Sequence, residues 1–348
     1  MRLITLITLF NMFFLMGCNK HDYVHNSTNL WQKLNTPYFG RLQDINFTSA
    51  DTGYIFGKDS TYSISTIIKT SDGGNSWQEI HFHLNIDSIG PVGPVNVSPF
   101  NSNLLFAFSR LHNQWAIIRS VDGGYHWNII DSTPSGVSWG KYHFFTAANI
   151  IRSGEFIYMS TDSGFTWLKV RYPQSGFANF EMLQFTDSET GYTAGGIAYD
   201  ATNYGIMAKT RDGGNTWETI DYSFHDIEGM SFINDNVGYV VMDMDSGNAA
   251  ITYAGGCDLY KTENGGVTWN VVSKNIFSNY YDDRAANLYF KNDREGFVLG
   301  PHGIYHTKDG GKMWQNEFGS TNIINLTFPS ATCCYAVDKE GNVYKRMR

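Results

Sequence analysis

Six side chains that could ligate a metal or donate a proton recur at one place in a repeated phrase. The phrase has the form Thr/Ser-x-Asp-Gly-Gly-x-x-Trp, and its acidic or amide positions are Asp72, Asp122, Asp162, Asp212, Asn264 and Asp309. Carboxylates are common cation ligands and common general acids. Successive copies, however, lie roughly 40 to 50 residues apart, the period of propeller blades and solenoid coils. Copies distributed around such a fold cannot share one active site. The sequence therefore predicts a structural role for them and no metal site.

The other acids that cluster are Asp226, Glu228, Asp282 and Asp283. Hydrolysis of a glycosidic bond uses two carboxyl groups that flank the bond, so a hydrolase hypothesis rests on these residues. The chain has no His-Glu-x-x-His zinc motif and no phosphate-binding glycine loop. We therefore predict no catalytic residue and no cofactor.

The repeated phrase has the character of a tight turn. Each copy lies between two apolar or alternating runs, such as residues 65–68 and 77–80 around the first copy. The glycines supply positive φ angles, and the Asp or Asn accepts hydrogen bonds from backbone amides of the turn. The Trp then begins the outgoing strand. Each copy is therefore predicted to be the turn of a β-hairpin.

A second phrase precedes the first in most repeats and consists of Phe, five turn residues and Gly-aromatic. It occurs at residues 47–54, 185–192, 232–239 and 290–297, and at 328–335 with Cys334 in place of glycine. Val97 and Phe145 are looser equivalents. Together the two phrases predict units of four short strands, which is the form of a propeller blade.

The number of blades follows from the two ends of the chain. Seven opening strands meet only six Asp-Gly-Gly turns, and the last repeat ends after three strands. Residues 30–34 resemble the Trp-led fourth strand at 77–80. We predict an all-β, seven-bladed propeller of four-stranded blades over residues 30–348, closed by an N-terminal strand that completes the C-terminal blade. Such closure removes exposed sheet edges.

Composition agrees with a single β domain and bears on partners. Aromatic residues make up 16% of the chain, charged residues 17%, and the net charge is −8. Nucleic-acid binding requires a basic surface, so no nucleic-acid partner is expected. We predict a monomer.

The N-terminus predicts a bacterial lipoprotein. Arg2 and the apolar run that follows are too short to span a bilayer as a helix and suit a signal peptide over residues 1–17. Cys18 would then carry the lipid, with residues 18–29 forming the lipidated cysteine and a polar tether. Asn19 favours the outer membrane of the cell envelope. The alternative is an ordinary secretory signal with a coincidental cysteine.

Three further cysteines are Cys257, Cys333 and Cys334, and none lies in a Cys-x-x-Cys motif. Cys257 falls in the fifth repeat and the adjacent pair in the seventh. The pair could form a vicinal disulfide, but buried thiols at the start of a strand are favoured.

The Asp-Gly-Gly-x-Thr-Trp phrases resemble the BNR or Asp-box repeats of sialidases, sortilin-type receptors and xyloglucan-cleaving hydrolases. Combined with the Phe-x5-Gly-Tyr phrase, residues 30–348 more closely resemble the Ycf48/Hcf136-like propellers, known as photosystem II assembly and stability factors. That resemblance implies a protein-binding propeller. The basic patch of photosynthetic relatives has no counterpart in this acidic chain, so their partner is not expected. Sialidases need three arginines to bind the carboxylate of their substrate, whereas only Arg41 and Arg284 precede inner strands in this chain. The arginines therefore do not match those of a sialidase.

A binding site is expected at the mouth of the central channel, where loops lead into the inner strands. These loops contribute aromatic and charged candidates, because such side chains commonly form recognition sites. The candidate ligand-binding residues are Arg41, Trp139, Tyr142, Phe180, Asp226, Glu228, Tyr280, Tyr281, Asp282 and Arg284. We predict a non-catalytic binding or assembly module of the cell envelope, anchored to the membrane through its lipid, with a protein or glycan ligand. The alternative is a glycoside hydrolase acting on extracellular polysaccharide.

Overall fold

The computed structural model of the chain describes residues 30–37, 40–58, 65–81, 83–84, 94–111, 114–133, 141–170, 178–199, 202–224, 227–243, 257–277, 287–320 and 322–347. The regular structure in these ranges consists of short strands in small sheets. No helix in the described ranges is long and apolar enough to cross a membrane. The predicted signal peptide, Cys18 and the tether lie outside them.

The strands, in chain order, are β1 (Trp31–Leu34), β2 (Arg41–Phe47), β3 (Gly53–Lys58), β4 (Ser65–Thr70), β5 (Gln78–His81), β6 (His83–Leu84), β7 (Pro94–Pro99), β8 (Leu105–Leu111), β9 (Gln114–Ser120), β10 (His126–Thr133), β11 (Tyr142–Phe144), β12 (Ile150–Arg152), β13 (Tyr158–Ser160), β14 (Leu168–Lys169), β15 (Ala178–Phe185), β16 (Gly191–Tyr199), β17 (Thr202–Thr210), β18 (Glu218–Phe224), β19 (Ile227–Phe232), β20 (Gly238–Asp243), β21 (Cys257–Thr262), β22 (Asn270–Phe277), β23 (Leu288–Phe290), β24 (Gly296–Gly300), β25 (Gly303–Thr307), β26 (Gln315–Gly319), β27 (Ile323–Ser330), β28 (Cys333–Asp338) and β29 (Val343–Arg346).

The strands form seven blades around a ring. From inner to outer strand, the blades are β2-β3-β4-β5, β7-β8-β9-β10, β11-β12-β13-β14, β15-β16-β17-β18, β19-β20-β21-β22, β23-β24-β25-β26 and β27-β28-β29-β1. We number them one to seven in this order. The inner strand of blade one packs against the inner strands of blades two and seven, so the ring is closed. The predicted all-β seven-bladed propeller is confirmed.

The ring is closed by the N-terminal strand, as the sequence predicts. Strand β1 pairs antiparallel with β29, with Trp31 opposite Arg346 and Leu34 opposite Val343. The outer strand of blade seven thus comes from the other end of the chain.

Blade two departs from the predicted four strands. The two-residue strand β6 lies alongside β10 in parallel, with His83 opposite His126. The connection from blade one therefore adds a fifth strand to the edge of the next blade.

The hydrophobic core lies between the blades. The interface of blades one and two, for example, buries Tyr54 and Ile67 against Leu105 and Trp127. Alternate side chains of a strand point to opposite faces of its sheet, so each blade supplies apolar residues to both neighbours. This packing holds neighbouring blades together.

The repeated hairpin turns have the expected backbone. Gly213 and Gly214 have φ angles of 67° and 88°, values that glycine adopts without steric cost. In blade three the first glycine is replaced by Ser163, which nevertheless takes a φ of 62°.

The second repeated phrase makes contacts between neighbouring blades. A Cβ atom at Gly191 would lie 2.5 Å from the ring of Phe185, so glycine is required beside that ring. Tyr192 stacks on Phe232 of the next blade with ring centroids 3.4 Å apart. Its hydroxyl donates a hydrogen bond of 2.8 Å to the carbonyl of Asp235 in that blade.

The same contact recurs around the ring, and we call it a tyrosine junction. Its further stacked pairs are Tyr239–Phe290 and Tyr335–Phe47, with centroids 3.6 and 3.9 Å apart. A lysine of the same blade lies over each ring, in the pairs Lys69–Tyr54, Lys209–Tyr192, Lys261–Tyr239 and Lys345–Tyr335. The hydroxyls of Tyr54, Tyr239 and Tyr335 donate to the carbonyls of Ser102, Asp293 and Gly73. The junctions with a stacked ring join blades four to five, five to six and seven to one, whereas Tyr54 joins blade one to blade two through its hydroxyl, with Lys69 over its ring.

The three cysteines of the described residues form no disulfide. Cys257 and Cys334 are buried, whereas Cys333 is partly exposed. The expectation of buried thiols at this strand start therefore holds for Cys334 and not for Cys333.

Candidate functional site

The two ends of the ring differ in what they present. Because the strands of a blade alternate in direction, all inner strands begin at one end, which we call the upper face. The turns between the third and fourth strands, which hold the repeated Asp residues, lie at the opposite end, the lower face.

On the lower face, the oxygens of the repeated Asp residues bind groups of their own turns. The Asp212 carboxylate accepts hydrogen bonds from the Thr216 backbone N–H at 2.9 Å, the Thr216 hydroxyl at 2.6 Å and the Thr210 hydroxyl at 2.8 Å. The Thr210 hydroxyl oxygen in turn accepts the Gly214 N–H at 2.8 Å. This arrangement stabilises the turn.

The remaining copies share the arrangement. The turns of Asp72, Asp122, Asp162, Asn264 and Asp309 each place a backbone N–H 2.8–3.0 Å from the corresponding oxygen. Hydrogen bonds from the Ser76 hydroxyl and backbone lower the pKa of Asp72 to about 2. A group of this kind is ionised at neutral pH and does not act as a general acid there.

Polar side chains join the inner strands along the channel wall. Asn46 of blade one donates to the carbonyl of Val97 in blade two at 3.0 Å. Gln184 of blade four both donates to and accepts from the backbone of Phe232 in blade five, at 2.8 Å in each direction. These bonds hold neighbouring inner strands in register at the channel.

A buried charged group of this wall is the carboxylate of Asp44. It accepts hydrogen bonds from Asn325 of blade seven, from Asn46 at 2.8 Å and from the Ile45 backbone at 2.9 Å. Asn287 of blade six donates to Asn325 at 2.5 Å. A chain of amides thus connects three blades to one carboxylate.

Burial raises the pKa of Asp44, and the positive charge of Lys141 and the hydrogen bonds lower it in part. This network was not predicted from the sequence, because Asp44 and Asn325 lie outside both repeated phrases. The one feature of the sequence that could have indicated the network is Asp44 itself, a polar residue at an inward-facing position of an inner strand.

The structure places three predicted ligand-binding residues at the upper face. Arg41 begins β2 and is exposed, Tyr142 begins β11, and Glu228 is the second residue of β19. Tyr142 packs near Phe106 and Phe108, with ring centroids 5.8 and 5.5 Å away. Arg41 is therefore the most accessible of the three.

Phe180 was also expected at the channel mouth, and that prediction is wrong. Its side chain is 1% exposed and packs between blades three and four with Ile151, Ile206 and Trp217. Because β15 continues the packing face of its blade at this position, the ring points into the core and not to the channel mouth.

The other candidates, Trp139, Asp226, Tyr280, Tyr281, Asp282 and Arg284, together with Asp283, lie outside the described residues. In the ranges that the structure describes, no three His, Cys, Asp or Glu side chains are grouped so as to hold a metal ion.

Residues 136–140, Gly-Val-Ser-Trp-Gly, have the Gly-x-Ser-x-Gly form of a hydrolase nucleophile motif. That motif is functional at a turn between a strand and a helix. Here it lies between the outer strand of blade two and the inner strand of blade three. Its context is that of a blade connection.

Comparison with known proteins supports the expected resemblance. No protein-family model matches the chain. It is 24% identical over 342 residues to the chloroplastic photosystem II stability/assembly factor HCF136 of Guillardia theta, covering 81% of this chain and 83% of that protein. The resemblance to Ycf48/HCF136 proteins is confirmed.

Two solved structures have the same fold. YCF48 bound to a D1 peptide aligns with a TM-score of 0.64 and 16% identity, over 92% of this chain and 97% of that chain. A GH74 enzyme of Niastella koreensis aligns with a TM-score of 0.59 and 18% identity, over 85% of this chain and 50% of that chain. At these identities, each likeness concerns the fold alone.

Proposed function

We propose that this chain, a homologue of the Ycf48/HCF136 factors, is a non-catalytic assembly or binding propeller that holds a protein partner at its upper face. The observation that carries the proposal is the likeness to a YCF48 that binds a D1 peptide, over 92% of this chain. A peptide bound at the channel mouth would meet residues from several blades at once.

The described side chains fit such a ligand. Arg41 begins the inner strand of blade one and its side chain is exposed, and Glu228, which is partly exposed, lies in the inner strand of blade five on the other side of the ring. A mixed pair of charges suits the amide groups and side chains of a polypeptide. The ring beneath is held by the Asp44–Asn325 network, so the ligand would meet a preorganised surface, which lowers the entropic cost of binding.

The hydrolase alternative has less support. The likeness to the GH74 enzyme is at the level of the fold and spans half of that protein. Its test is release of reducing sugar from envelope polysaccharides by the wild-type chain, lost in Glu228→Gln or Asp282→Asn. We expect no release.

The partner is tested by capture from a cell-envelope extract with the immobilised mature chain, followed by mass spectrometry. Arg41→Ala combined with Trp139→Ala and Tyr281→Ala should abolish capture of the specific partner while the melting temperature is unchanged. Met313→Ala is the control, because Met313 is exposed in a lower-face turn. Equal capture by all three proteins would place the binding surface elsewhere.

A glycan is the other ligand proposed for the upper face, and a glycan array tests it: the wild-type chain should bind a glycan and the upper-face variants should not.

We also propose that Cys18 anchors the chain to the outer membrane of the cell envelope. Cys18→Ser should abolish labelling by a fatty-acid probe and move the protein to the soluble fraction. Retention of the unlabelled variant in the membrane fraction would show that another contact holds it.

A further inference from the structure

The interface between blades six and seven lacks a tyrosine junction. Phe297 occupies the tyrosine position of blade six and has no hydroxyl to donate to blade seven. Its ring is tilted by 40° against Phe328 at a centroid distance of 5.3 Å. His306 replaces the lysine and stacks on Phe297 at 4.3 Å. This interface, which we call the seam, must be held by other contacts.

Those contacts converge on the carboxylate of Glu317 in blade six. Arg346 of β29 donates to both of its oxygens, at 2.6 and 2.9 Å. The indole N–H of Trp31, the first residue of the closing strand, donates to it at 3.0 Å. The Nδ1 atom of His306 lies 2.9 Å from it. One side chain thus holds the closing strand, its partner strand and the neighbouring blade together.

The surroundings make this contact strong. The Glu317 side chain is only 9% exposed and that of Arg346 22%. Removal of one partner from such a pair leaves a buried charge without compensation, which is far more costly than the loss of an exposed pair. Glu295 adds a second carboxylate 3.5 Å from the Nε2 atom of His306, and Lys291 in turn lies 3.3 Å from Glu295.

The seam also encloses a thiol. Trp31 and Cys334 belong to the same buried cluster between blades six and seven. Cys334 is buried while the seam is closed. Burial raises the pKa of the Cys334 thiol well above its ordinary value, which further suppresses its reactivity in the closed ring, because the thiolate is the nucleophile.

We propose that β1 is a releasable strap and Glu317 its latch, so that loss of the latch frees β1 and opens the seam while the other blades remain folded. Strand β1 is the only strand of blade seven that is not continuous with the rest of that blade in sequence. Its release leaves the edge of β29 open, and an open strand edge can pair with a strand of another protein. The device is separate from partner binding at the upper face.

The test is the rate at which iodoacetamide alkylates each cysteine of the folded mature chain, read by peptide mass spectrometry. Glu317→Gln should raise the alkylation rate of Cys334 at least about tenfold, since a charged hydrogen-bond network contributes well over the energy that corresponds to that factor. Cys257, buried in blade five, is the internal reference and should keep its wild-type rate. Trp31→Phe removes only the indole donor and should give a smaller increase at Cys334.

Glu218→Gln is the matched control, because Glu218 pairs with Arg211 at 3.2 Å but both side chains are more than 60% exposed. It should leave all rates unchanged. Equal acceleration of Cys257 and Cys334 would mean global unfolding and would overturn the proposal. So would a wild-type rate of Cys334 in both Glu317→Gln and Trp31→Phe. If Glu317→Gln does not fold, Trp31→Phe alone decides.

Discussion

The tyrosine junctions and the seam join neighbouring blades of one ring by different chemistry. At a tyrosine junction, such as that between blades five and six, Tyr239 stacks on Phe290 and donates to a backbone carbonyl. At the seam, Glu317 binds Arg346 and Trp31 instead. The junction is formed by an aromatic stack, a neutral hydrogen bond and a lysine over the tyrosine ring, and the seam by a nearly buried ionic cluster.

The seam differs from the tyrosine junctions in its dependence on the closing strand. The junctions from blade four to five and from five to six, for example, join blades whose strands the chain contributes consecutively. Blade seven depends on a strand from the far end of the chain, whose pairing must overcome the entropy of closing the ring. An ionic cluster that requires β1, β26 and β29 together favours the closed ring specifically.

The largest effect should come from removal of the closing strand. Deletion of residues 19–36 eliminates Trp31 and Leu34, which are buried between blades. Loss of two large buried side chains costs several kcal/mol, and we expect the melting temperature to fall by about 10 °C or more. Thermal unfolding followed by circular dichroism measures it. Deletion of residues 19–28 is the control and should melt like the full mature chain. Equal melting of both deletions would contradict the role of β1.

Acid should weaken the seam before it weakens the tyrosine junctions. Burial raises the pKa of Glu317, but hydrogen bonds from Arg346 and His306 and their charges outweigh it and lower the pKa to about 2. The folded state therefore binds this proton less tightly than the unfolded state, so the contribution to stability is fully present above pH 4.5 and is lost as the pH falls toward 2. By linkage it amounts to about 3 kcal/mol.

Urea unfolding of wild-type and Glu317→Gln proteins between pH 6 and pH 3 tests this dependence. The difference in unfolding free energy between them should be largest at pH 6 and shrink below pH 4.5. The other charged groups at the cluster, Arg346, His306 and Glu295, are present in both proteins. Glu218→Gln should follow the wild type throughout. A difference that stays constant down to pH 3 would show that the charge of Glu317 does not stabilise the seam.

The repeats made the architecture predictable, because each copy carries both the turn and the strand starts of a blade. The closing strand was predictable too, since residues 30–34 resemble the Trp-led fourth strand of other blades. The tyrosine junctions were not, although every contributing residue recurs in the sequence. A tyrosine junction forms only where two side chains face each other across neighbouring blades, as Tyr192 and Phe232 do. The spacing of the repeats does not show which side chains meet in this way.

The candidate site was less predictable than the fold. Phe180 was assigned to the channel mouth because aromatic residues there often bind ligands, but β15 places it in the core. Asp44 and Glu317 were missed, because each lies in a strand of ordinary composition and acquires its partners from residues about 280 and 30 positions away. Long-range polar contacts of this kind leave no local pattern.

A smaller loss in the free energy of unfolding is expected from the lower-face turns. These turns occur both in blades joined by tyrosine junctions and in blade six at the seam. Asp212→Ala in blade four should cost about 1 to 2 kcal/mol, because it leaves backbone amides of a tight turn without acceptors. Asp309→Ala in blade six should cost less, because Met313 offers a backbone N–H to Asp309 but no hydroxyl. Urea unfolding measures both, and Asp293→Ala, at an exposed turn position, is the control. A loss of partner binding by Asp212→Ala at normal stability would assign that residue to a site.

The smallest effect should come from a single hydroxyl of a tyrosine junction. Tyr239→Phe keeps the stack on Phe290 but removes the hydrogen bond to the Asp293 carbonyl, 3.0 Å long in the native ring. The change converts this junction toward the Phe297 arrangement of the seam without adding the ionic cluster. We expect a loss of about 1 kcal/mol in the free energy of unfolding, the usual contribution of one neutral hydrogen bond.

Tyr125→Phe provides the control, because the Tyr125 hydroxyl accepts a bond from Gln78 on an exposed part of the ring and should be close to neutral. Alkylation of Cys334 should not change in Tyr239→Phe, since the seam and its latch are intact. If Tyr239→Phe is as neutral as Tyr125→Phe, the junctions are held by stacking alone. The seam would then differ from them in having an added charged cluster, and not in lacking a hydroxyl.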